Sequence, residues 1–131
     1  MIDHIGVSVS DPARSRRFYE QALAPLGYKV IMQTPVEHTG GLVVLGLGVP
    51  PMPDFWLYEG TPQKPHIHVA IRAANRAAVD AFYQAAIAAG GTDNGPPGVR
   101  PKYHPNYYGA FVLDPDGHNI EACCHMPPSA G

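Results

Sequence analysis

The chain has 131 residues and a formal net charge of −2, with 45% hydrophobic and 15% charged residues. This length and composition are typical of one folded globular domain and exclude a disordered tail, and the near-neutral charge offers nucleic acid no broad basic surface. No apolar run is long enough to span a bilayer, and the strand pattern begins at once, without room for a signal peptide. We therefore expect one cytoplasmic domain over residues 1–131, with no nucleic-acid or membrane partner.

The first half of the chain, about residues 1–60, predicts a strand, a helix and three further strands. A short alternating strand comes first, and the helix after it has Asp11 as its N-cap and Pro12 in its first turn, where no N–H is needed. Gly27 provides the C-terminal stop of this segment. Three strand-like runs then cover about 28–33, 42–48 and 55–58.

The second half, about residues 65–125, repeats this plan at an offset of 64 residues, with Asn75 as the second N-cap. The shift aligns a series of residues without a gap: His4 with His68, Val7 with Ile71, Asp11 with Asn75, Phe18-Tyr19 with Phe82-Tyr83, Ala22 with Ala86, and Gly27 with Gly91. An irregular Pro- and Gly-rich stretch at 95–106 precedes strands at 107–113 and 120–124, which an Asp-Pro-Asp-Gly hairpin turn joins. The sequence therefore predicts an α+β fold of two βαβββ repeats.

Strand alternation places three potential metal ligands on one face of the predicted sheet. Aliphatic side chains occupy the other face of each strand, where the two amphipathic helices would pack. His4, His68 and Glu121 are left together on the opposite face, beside small residues. Two neutral imidazoles and a carboxylate recur as the ligands of catalytic divalent metals, and a lone carboxylate among apolar neighbours is costly unless it is paired. The pattern predicts a site for one divalent metal ion.

Further residues are candidates for a substrate pocket: Trp56, His66, Arg72, Tyr107, Tyr108 and Cys123. Trp56 either forms the floor of the pocket or packs in the core, and the tyrosines suit the mouth of a cavity or half-buried packing equally well. Arg72 shares a face with His68, where it could bind an anionic substrate or end an exposed strand. Cys123 shares the face of Glu121, and a small filling role is favoured over a redox role.

The other histidines and the cysteines favour structural or surface roles. His38, His104, His118 and His125 fall in turns or at strand ends, where we expect exposure to solvent. Cys123 and Cys124 are adjacent in a strand and point to opposite faces, so a structural disulfide is not expected. None of these residues is a candidate general base, and the sequence identifies no such residue.

Three segments of this sequence resemble the glyoxalase I, bleomycin-resistance and ring-cleaving dioxygenase superfamily, also called the vicinal oxygen chelate family. They are DHIGVSVSDPARSRRFYEQALAPLGY, PHIHVAI and AFVLDPDGHNIEA. The resemblance implies that the paired βαβββ units curl into a cup-like mixed sheet with helices on its outer face. It also implies that residues matching His4, His68 and Glu121 bind a metal that chelates two neighbouring oxygens of a small substrate, and that the chain forms a homodimer.

One departure from the family pattern concerns the fourth ligand of glyoxalase I enzymes, a carboxylate in the strand that corresponds to residues 53–58. The internal repeat maps Glu121 near Trp56 or Leu57, neither of which can bind a metal, and Glu59 would require a shift of register. A set of three protein ligands resembles the 2-His-1-carboxylate arrangement of the family's iron dioxygenases. Those enzymes are usually longer, with two such domains per chain.

The resemblance leaves three hypotheses for function. The first is a metal-dependent enzyme that acts on a small oxygen-bearing molecule, with isomerase or lyase chemistry if the metal is Zn, Ni, Co or Mn, and ring-cleaving dioxygenase chemistry if it is Fe. The alternative is a non-catalytic protein that binds a drug or another small molecule, as bleomycin-resistance proteins do. The third is a family member without chemistry of its own.

Overall fold

A computed structural model of the protein describes residues 1–128; residues 129–131 of the predicted domain lie outside the described part. The helices are α1 (Pro12–Ala22) and α2 (Arg76–Ala88). The strands are β1 (Ile5–Val9), β2 (Lys29–Gln33), β3 (Val44–Gly48), β4 (Phe55–Glu59), β5 (His68–Arg72), β6 (Thr92–Asp93), β7 (Gly98–Val99), β8 (Tyr108–Leu113) and β9 (Asn119–Cys124). In the described residues no helix is both long and apolar enough to cross a membrane.

Both helices begin at the predicted N-caps. The Asp11 side chain accepts a hydrogen bond from the Arg14 N–H at 3.1 Å, and the Asn75 side chain accepts one from the Ala78 N–H at 2.8 Å. Each bond satisfies an N–H group that the first helical turn leaves without a partner. After α1 a short 3-10 turn continues to Gly27, whose φ of 84° lies in the left-handed region that glycine reaches without strain.

The strands form two mixed sheets that have the same plan. The first has the order β1-β4-β3-β2 and the second the order β5-β9-β8-β6, with β7 also paired to β8. In both sheets the first strand of the half is an end strand and runs parallel to the last strand of that half, β1 to β4 and β5 to β9. The predicted α+β class and the paired βαβββ plan are therefore confirmed.

The stretch at 95–106, predicted to be irregular, contains β7, and β6 lies just before it; both strands pair with β8 in antiparallel register. Between them lie Gly95, with a φ of 144°, and the two prolines Pro96 and Pro97. Proline has no N–H to donate to a sheet, and glycine alone adopts that φ easily, so the strand is interrupted there. The second strand of the second half, which corresponds to β2 of the first half, is therefore present in two short pieces.

The core lies between the aliphatic faces of the sheets and the helices, as the alternation predicts. Its largest fully buried apolar side chains are Tyr19, Phe18, Phe55, Phe82, Leu23, Leu45, Leu47, Leu57, Ile120 and Val7. Helix α2 packs against β8, β9 and α1. Each large apolar side chain that is fully buried stabilises the fold by about 1.5–3 kcal/mol relative to exposure.

His118 corrects one sequence-based expectation, because it is fully buried instead of exposed. Its Nδ1 accepts a hydrogen bond from the Ile67 N–H at 3.0 Å, and its Nε2 donates to the Ser8 carbonyl at 3.0 Å. These partners fix the tautomer, since one is an N–H donor and the other a carbonyl acceptor. The imidazole satisfies one backbone group in each half of the chain, which explains why a residue beside a turn is buried.

Candidate active site

The parallel pairing of β5 with β9 brings His68 and Glu121 into contact. Ala70 in β5 is the register partner of Glu121 in β9. His68 lies two residues before Ala70 in β5, so its side chain points to the same face of the sheet as that of Glu121. The His68 Nε2 is 2.8 Å from the Glu121 Oε1. The carboxylate is only 2% exposed, whereas the imidazole is 52% exposed. A buried carboxylate therefore lies beneath an imidazole that solvent can reach.

Tyr107 contacts the second oxygen of the same carboxylate. Its hydroxyl donates a hydrogen bond to the Glu121 Oε2. The tyrosine lies just before β8, and its ring crosses Gly109, where an added Cβ would lie 3.2 Å from the Tyr107 Cε1 and 3.3 Å from the Glu121 Oε2. Burial and the hydrogen bond to Glu121 raise the pKa of the Tyr107 phenol, so it is a donor at neutral pH. The Oε1 of Glu121 is thus the oxygen that faces His68.

Cys123 lies next to this group on the same face of β9. It is 7% exposed, and burial raises the pKa of its thiol. Both Cys123 and Cys124 are free cysteines. A protonated, buried thiol behaves as a small apolar residue, because the thiolate is the form that binds metals and attacks electrophiles.

His4, the third predicted ligand, lies just before β1. Its Nδ1 is 2.6 Å from the Asp3 Oδ1, and because a carboxylate only accepts, the neutral ring carries its proton on Nδ1 and leaves Nε2 free to ligate. Within residues 1–128 no three His, Cys, Asp or Glu side chains are grouped closely enough to hold a metal. His4 and His68 nevertheless line one cavity of about 760 Å³.

The strand registers identify Trp56 as the structural equivalent of Glu121. Gly6 pairs with Trp56 in the first half, and Ala70 pairs with Glu121 in the second. Since Gly6 and Ala70 are related by the 64-residue offset, the equivalence of their partners follows. Leu57 is buried on the opposite face, which resolves the ambiguity left by the sequence. Glu59 lies two residues after Leu57 in β4 and shares its face, so it also points away from Trp56.

The remaining predicted pocket residues occupy three different places. His66 packs against the hairpin turn, with its ring 5.4 Å from that of His118. Arg72 is exposed at the end of β5, pairs in register with Cys123, and lines the cavity that His4 and His68 share.

Tyr108, by contrast, belongs to the helix side of the sheet. Its hydroxyl donates to the Asp80 Oδ1 at 2.6 Å, and the Arg76 guanidinium lies 5.0 Å from the centre of its ring. Both partners are on α2. Neighbouring residues in a strand point to opposite faces, so Tyr107 and Tyr108 could not both lie beside Glu121.

This duplicated fold is shared with a known group of proteins. Residues 1–122 match the model of the Glyoxalase/Bleomycin resistance protein/Dioxygenase superfamily. The chain belongs to this superfamily, as the sequence motifs predicted. It has no match among curated proteins.

Solved structures of the same fold include one with 28% sequence identity, a glyoxalase/bleomycin resistance protein from Albidiferax ferrireducens. It matches 95% of this chain and 98% of its own with a TM-score of 0.69. Glyoxalase I from Zea mays matches with 20% identity and a TM-score of 0.67, over 98% of this chain and 45% of its own. A mutant of the fosfomycin resistance protein FosX from Listeria monocytogenes, complexed with Mn(II) and 1S,2S-dihydroxypropylphosphonic acid, matches with 16% identity and a TM-score of 0.66, over 93% and 87%.

Proposed function

We propose that this protein is a metal-dependent enzyme that acts on a small oxygen-bearing organic molecule, and that His68, Glu121 and His4 hold one divalent metal ion. The observation that carries the proposal is the contact between the exposed His68 imidazole and the buried Glu121 carboxylate, 2.8 Å apart. A carboxylate with 2% exposure is costly to bury unless positive charge or strong donors compensate it. The His68 imidazole and the Tyr107 hydroxyl offset part of the cost of burying the Glu121 carboxylate, and a bound cation would offset the rest.

The donor set fits a divalent transition metal, because imidazole nitrogen and carboxylate oxygen suit Fe, Zn, Ni, Mn or Co. When bound, such an ion would act as a Lewis acid toward two neighbouring oxygens of the substrate, in lyase or isomerase chemistry, or would supply the redox chemistry of a ring-cleaving dioxygenase. The chain itself holds the Glu121 Oε1 toward His68 and keeps the Oε2 on Tyr107. The structurally similar FosX mutant, complexed with Mn(II), supports a metal site of this general kind.

We further propose that His4 reaches the metal from a second copy of the chain. His68 and Glu121 are in contact within one chain. His4, by contrast, lies directly before β1 and belongs to no group of three potential ligands in the described residues. Both β1 and β5 are end strands of their sheets, so each can meet another chain. In a twofold dimer, His4 of one copy would face His68 and Glu121 of the other at two equivalent sites.

Elemental analysis of protein purified without added metal or chelator tests the metal site. We expect about one equivalent of a transition metal per chain, its loss in Glu121→Ala, and its retention in Glu59→Ala, which removes a carboxylate from the other face of β4. The identity of the metal would separate dioxygenase from lyase chemistry. Equal metal content in the native protein and Glu121→Ala would contradict the assignment, as would a protein that takes up none of the five metals.

Subunit mixing tests the shared site. His4→Ala and His68→Ala each lack one ligand, but a mixed dimer would contain one intact site, formed by His4 of the second variant and His68 of the first. Unfolding and refolding the two together should therefore restore about a quarter of the native metal content. If each site lies within one chain, mixing restores nothing.

A second candidate function is binding of a small molecule without catalysis. A cavity of about 540 Å³ on the first sheet favours it, because its lining is mainly apolar: Met32, Val44, Pro51, Met52, Pro53, Trp56 and Tyr58. Such a protein would bind its ligand equally well before and after treatment with a chelator. Loss of binding on chelation would instead support the enzyme proposal.

A further inference from the structure

We propose that the first half of the chain provides an aromatic subsite, made by Trp56 and Tyr58, for a planar apolar group of the substrate. This inference rests on the proposed metal site and names the substrate class: a small molecule with two neighbouring oxygens attached to an aromatic or other flat apolar group. The oxygens would bind the metal, and the apolar group would lie on these two rings.

The first observation is that the two sheets carry different side chains at equivalent positions, an indole in the first and a carboxylate in the second. Trp56 occupies in the first sheet the position that Glu121 occupies in the second, as the paired registers show. His4 and His68 are likewise equivalent by the 64-residue offset. One half therefore presents a histidine with a carboxylate, and the other presents a histidine with an indole. An indole cannot ligate a metal through its N–H, but it offers a large flat apolar surface.

The second observation is that both rings lie flat across glycines of the neighbouring strands. A Cβ added to Gly46 would lie 2.9 Å from the Trp56 Cη2, and one added to Gly6 would lie 2.3 Å from the Tyr58 Cε2. Rings held in this way cover the sheet and turn one face outward. Trp56 is half-buried and Tyr58 is 39% exposed, so a ligand could reach both.

The third observation is the shape and chemistry of the cavity above these rings. It has a volume of about 540 Å³, which lies in the range of small-molecule sites. Met32 and Met52 also line the cavity, and thioether side chains adapt well to flat aromatic ligands. Asp3 and His4, which are adjacent in the chain, contribute a carboxylate and an imidazole to the lining, and Thr34 and Thr39 contribute hydroxyls. The remaining side chains of the lining are apolar or aromatic, so the cavity is mainly apolar.

His4 connects this cavity to the proposed metal site. It lines the aromatic cavity, and on the proposed function it is also a ligand of the metal that His68 and Glu121 of a second copy hold. His4 lies two residues before Gly6, and Gly6 is the register partner of Trp56, so the imidazole and the indole come from nearby positions and line the same cavity. A ligand held by its oxygens on a metal at His4 would place its next few atoms over the indole.

Two hydroxamates test the subsite, because both chelate a metal through two neighbouring oxygens and only one carries an aromatic ring. We would titrate the metal-loaded protein with acetohydroxamate and with benzohydroxamate. The expected result is binding of benzohydroxamate about 10-fold tighter or more, with quenching of the indole emission. Trp56 is the single tryptophan of the chain, so that emission reports on the subsite alone.

Substitutions separate the subsite from the metal. In Trp56→Ala the preference for benzohydroxamate should fall below about 3-fold while the affinity for acetohydroxamate stays unchanged. Ile87→Ala, which removes an exposed apolar side chain from α2, should keep the full preference and serves as the control. The native protein's own emission gives a second readout that needs no variant.

The possible outcomes are distinct. Failure of both hydroxamates to bind would overturn the proposed metal site and this inference with it. Equal binding of the two, with unchanged indole emission, would leave the metal site in place and overturn the aromatic subsite. The latter result is also expected if a second copy of the chain covers Trp56 and Tyr58.

Discussion

The Tyr19 hydroxyl donates a hydrogen bond to the Asp114 Oδ2 at 2.5 Å, and the two residues come from opposite halves of the chain. Tyr19 is fully buried in α1, and Asp114 is 4% exposed at the start of the hairpin turn. The other oxygen of Asp114 accepts from the backbone N–H groups of Asp116 and His118. One carboxylate therefore closes the turn and ties it to the first helix.

Tyr19→Phe should lower the free energy of unfolding by about 1–3 kcal/mol, because it removes a donor from a buried carboxylate. Urea denaturation measures this difference. Tyr83→Phe is the matched control: it lies at the equivalent position of the second helix and also removes a hydroxyl bonded to a carboxylate, that of Asp93, but at a partly exposed site, so we expect a change of about 0.5 kcal/mol or less. Equal losses in the two variants would show that the Asp114 bond contributes little.

Stability should fall at alkaline pH. Burial and then Asp114 raise the pKa of Tyr19 well above its ordinary value of 10.0, and burial also raises that of Tyr107. Above about pH 10 an unfolded tyrosine loses its proton while the folded one keeps it, so the native state binds more protons and the free energy of unfolding decreases as pH rises. Below that pH the contribution is complete.

The contribution of Tyr19 to this decrease can be isolated with the same variant. Urea melts from about pH 8 to pH 11 should show a slope in Tyr19→Phe that is shallower by up to about 1.4 kcal/mol per pH unit, the value for one proton. Parallel curves for the native protein and the variant would mean that Tyr19 ionises alike in both states.

His118→Leu should destabilise the protein by about 2–4 kcal/mol, because it leaves the Ile67 N–H and the Ser8 carbonyl buried without their partner. Thermal or urea unfolding gives the measurement. His66→Leu alters an exposed ring only 5.4 Å away and should change stability by about 0.5 kcal/mol or less. A small loss in His118→Leu would indicate that water replaces the imidazole.

Tyr107→Phe should weaken the affinity for a divalent metal by about 10–100-fold, the usual effect of removing a partner that orients a ligand. Competition with a chromophoric chelator measures this affinity. Gly109→Ala should weaken it similarly while keeping the hydroxyl, since the added methyl group would meet the Tyr107 ring and the Glu121 carboxylate. Tyr103→Phe, which alters an exposed ring 5.1 Å from that of Tyr107, should bind metal normally. Normal affinity in both test variants would assign Tyr107 a packing role.

The sequence predicted the features that depend on local pattern. Asp11 and Asn75 as N-caps, the hairpin turn at Asp114, and the inward faces of the strands follow from short-range hydrogen bonding and the two-residue period of a strand. The family was also predicted, from motifs that span nearly the whole chain. These features need no knowledge of how the strands pair.

The features that the sequence did not reveal depend on the pairing of distant strands. The equivalence of Trp56 and Glu121 required the registers of β1 with β4 and β5 with β9. The burial of His118 depends on backbone groups 51 and 110 residues away. The bond from Tyr107 to Glu121 had only a weak local signal, a tyrosine two residues before a glycine in a strand, where an aromatic ring can cover the missing side chain.

His4 and His68 are equivalent, but the first lies in a half that carries Trp56 where the other half carries Glu121. This difference has a consequence for how the protein can diversify. On the proposed function, the metal chemistry depends on His68 and Glu121, whereas the choice of substrate depends on the opposite half, at Trp56 and Tyr58. Substitutions at the aromatic rings would alter which molecules are accepted without disturbing the buried carboxylate. A duplicated fold that has lost its symmetry in this way can acquire new specificities by mutation in one repeat while the other stays constant.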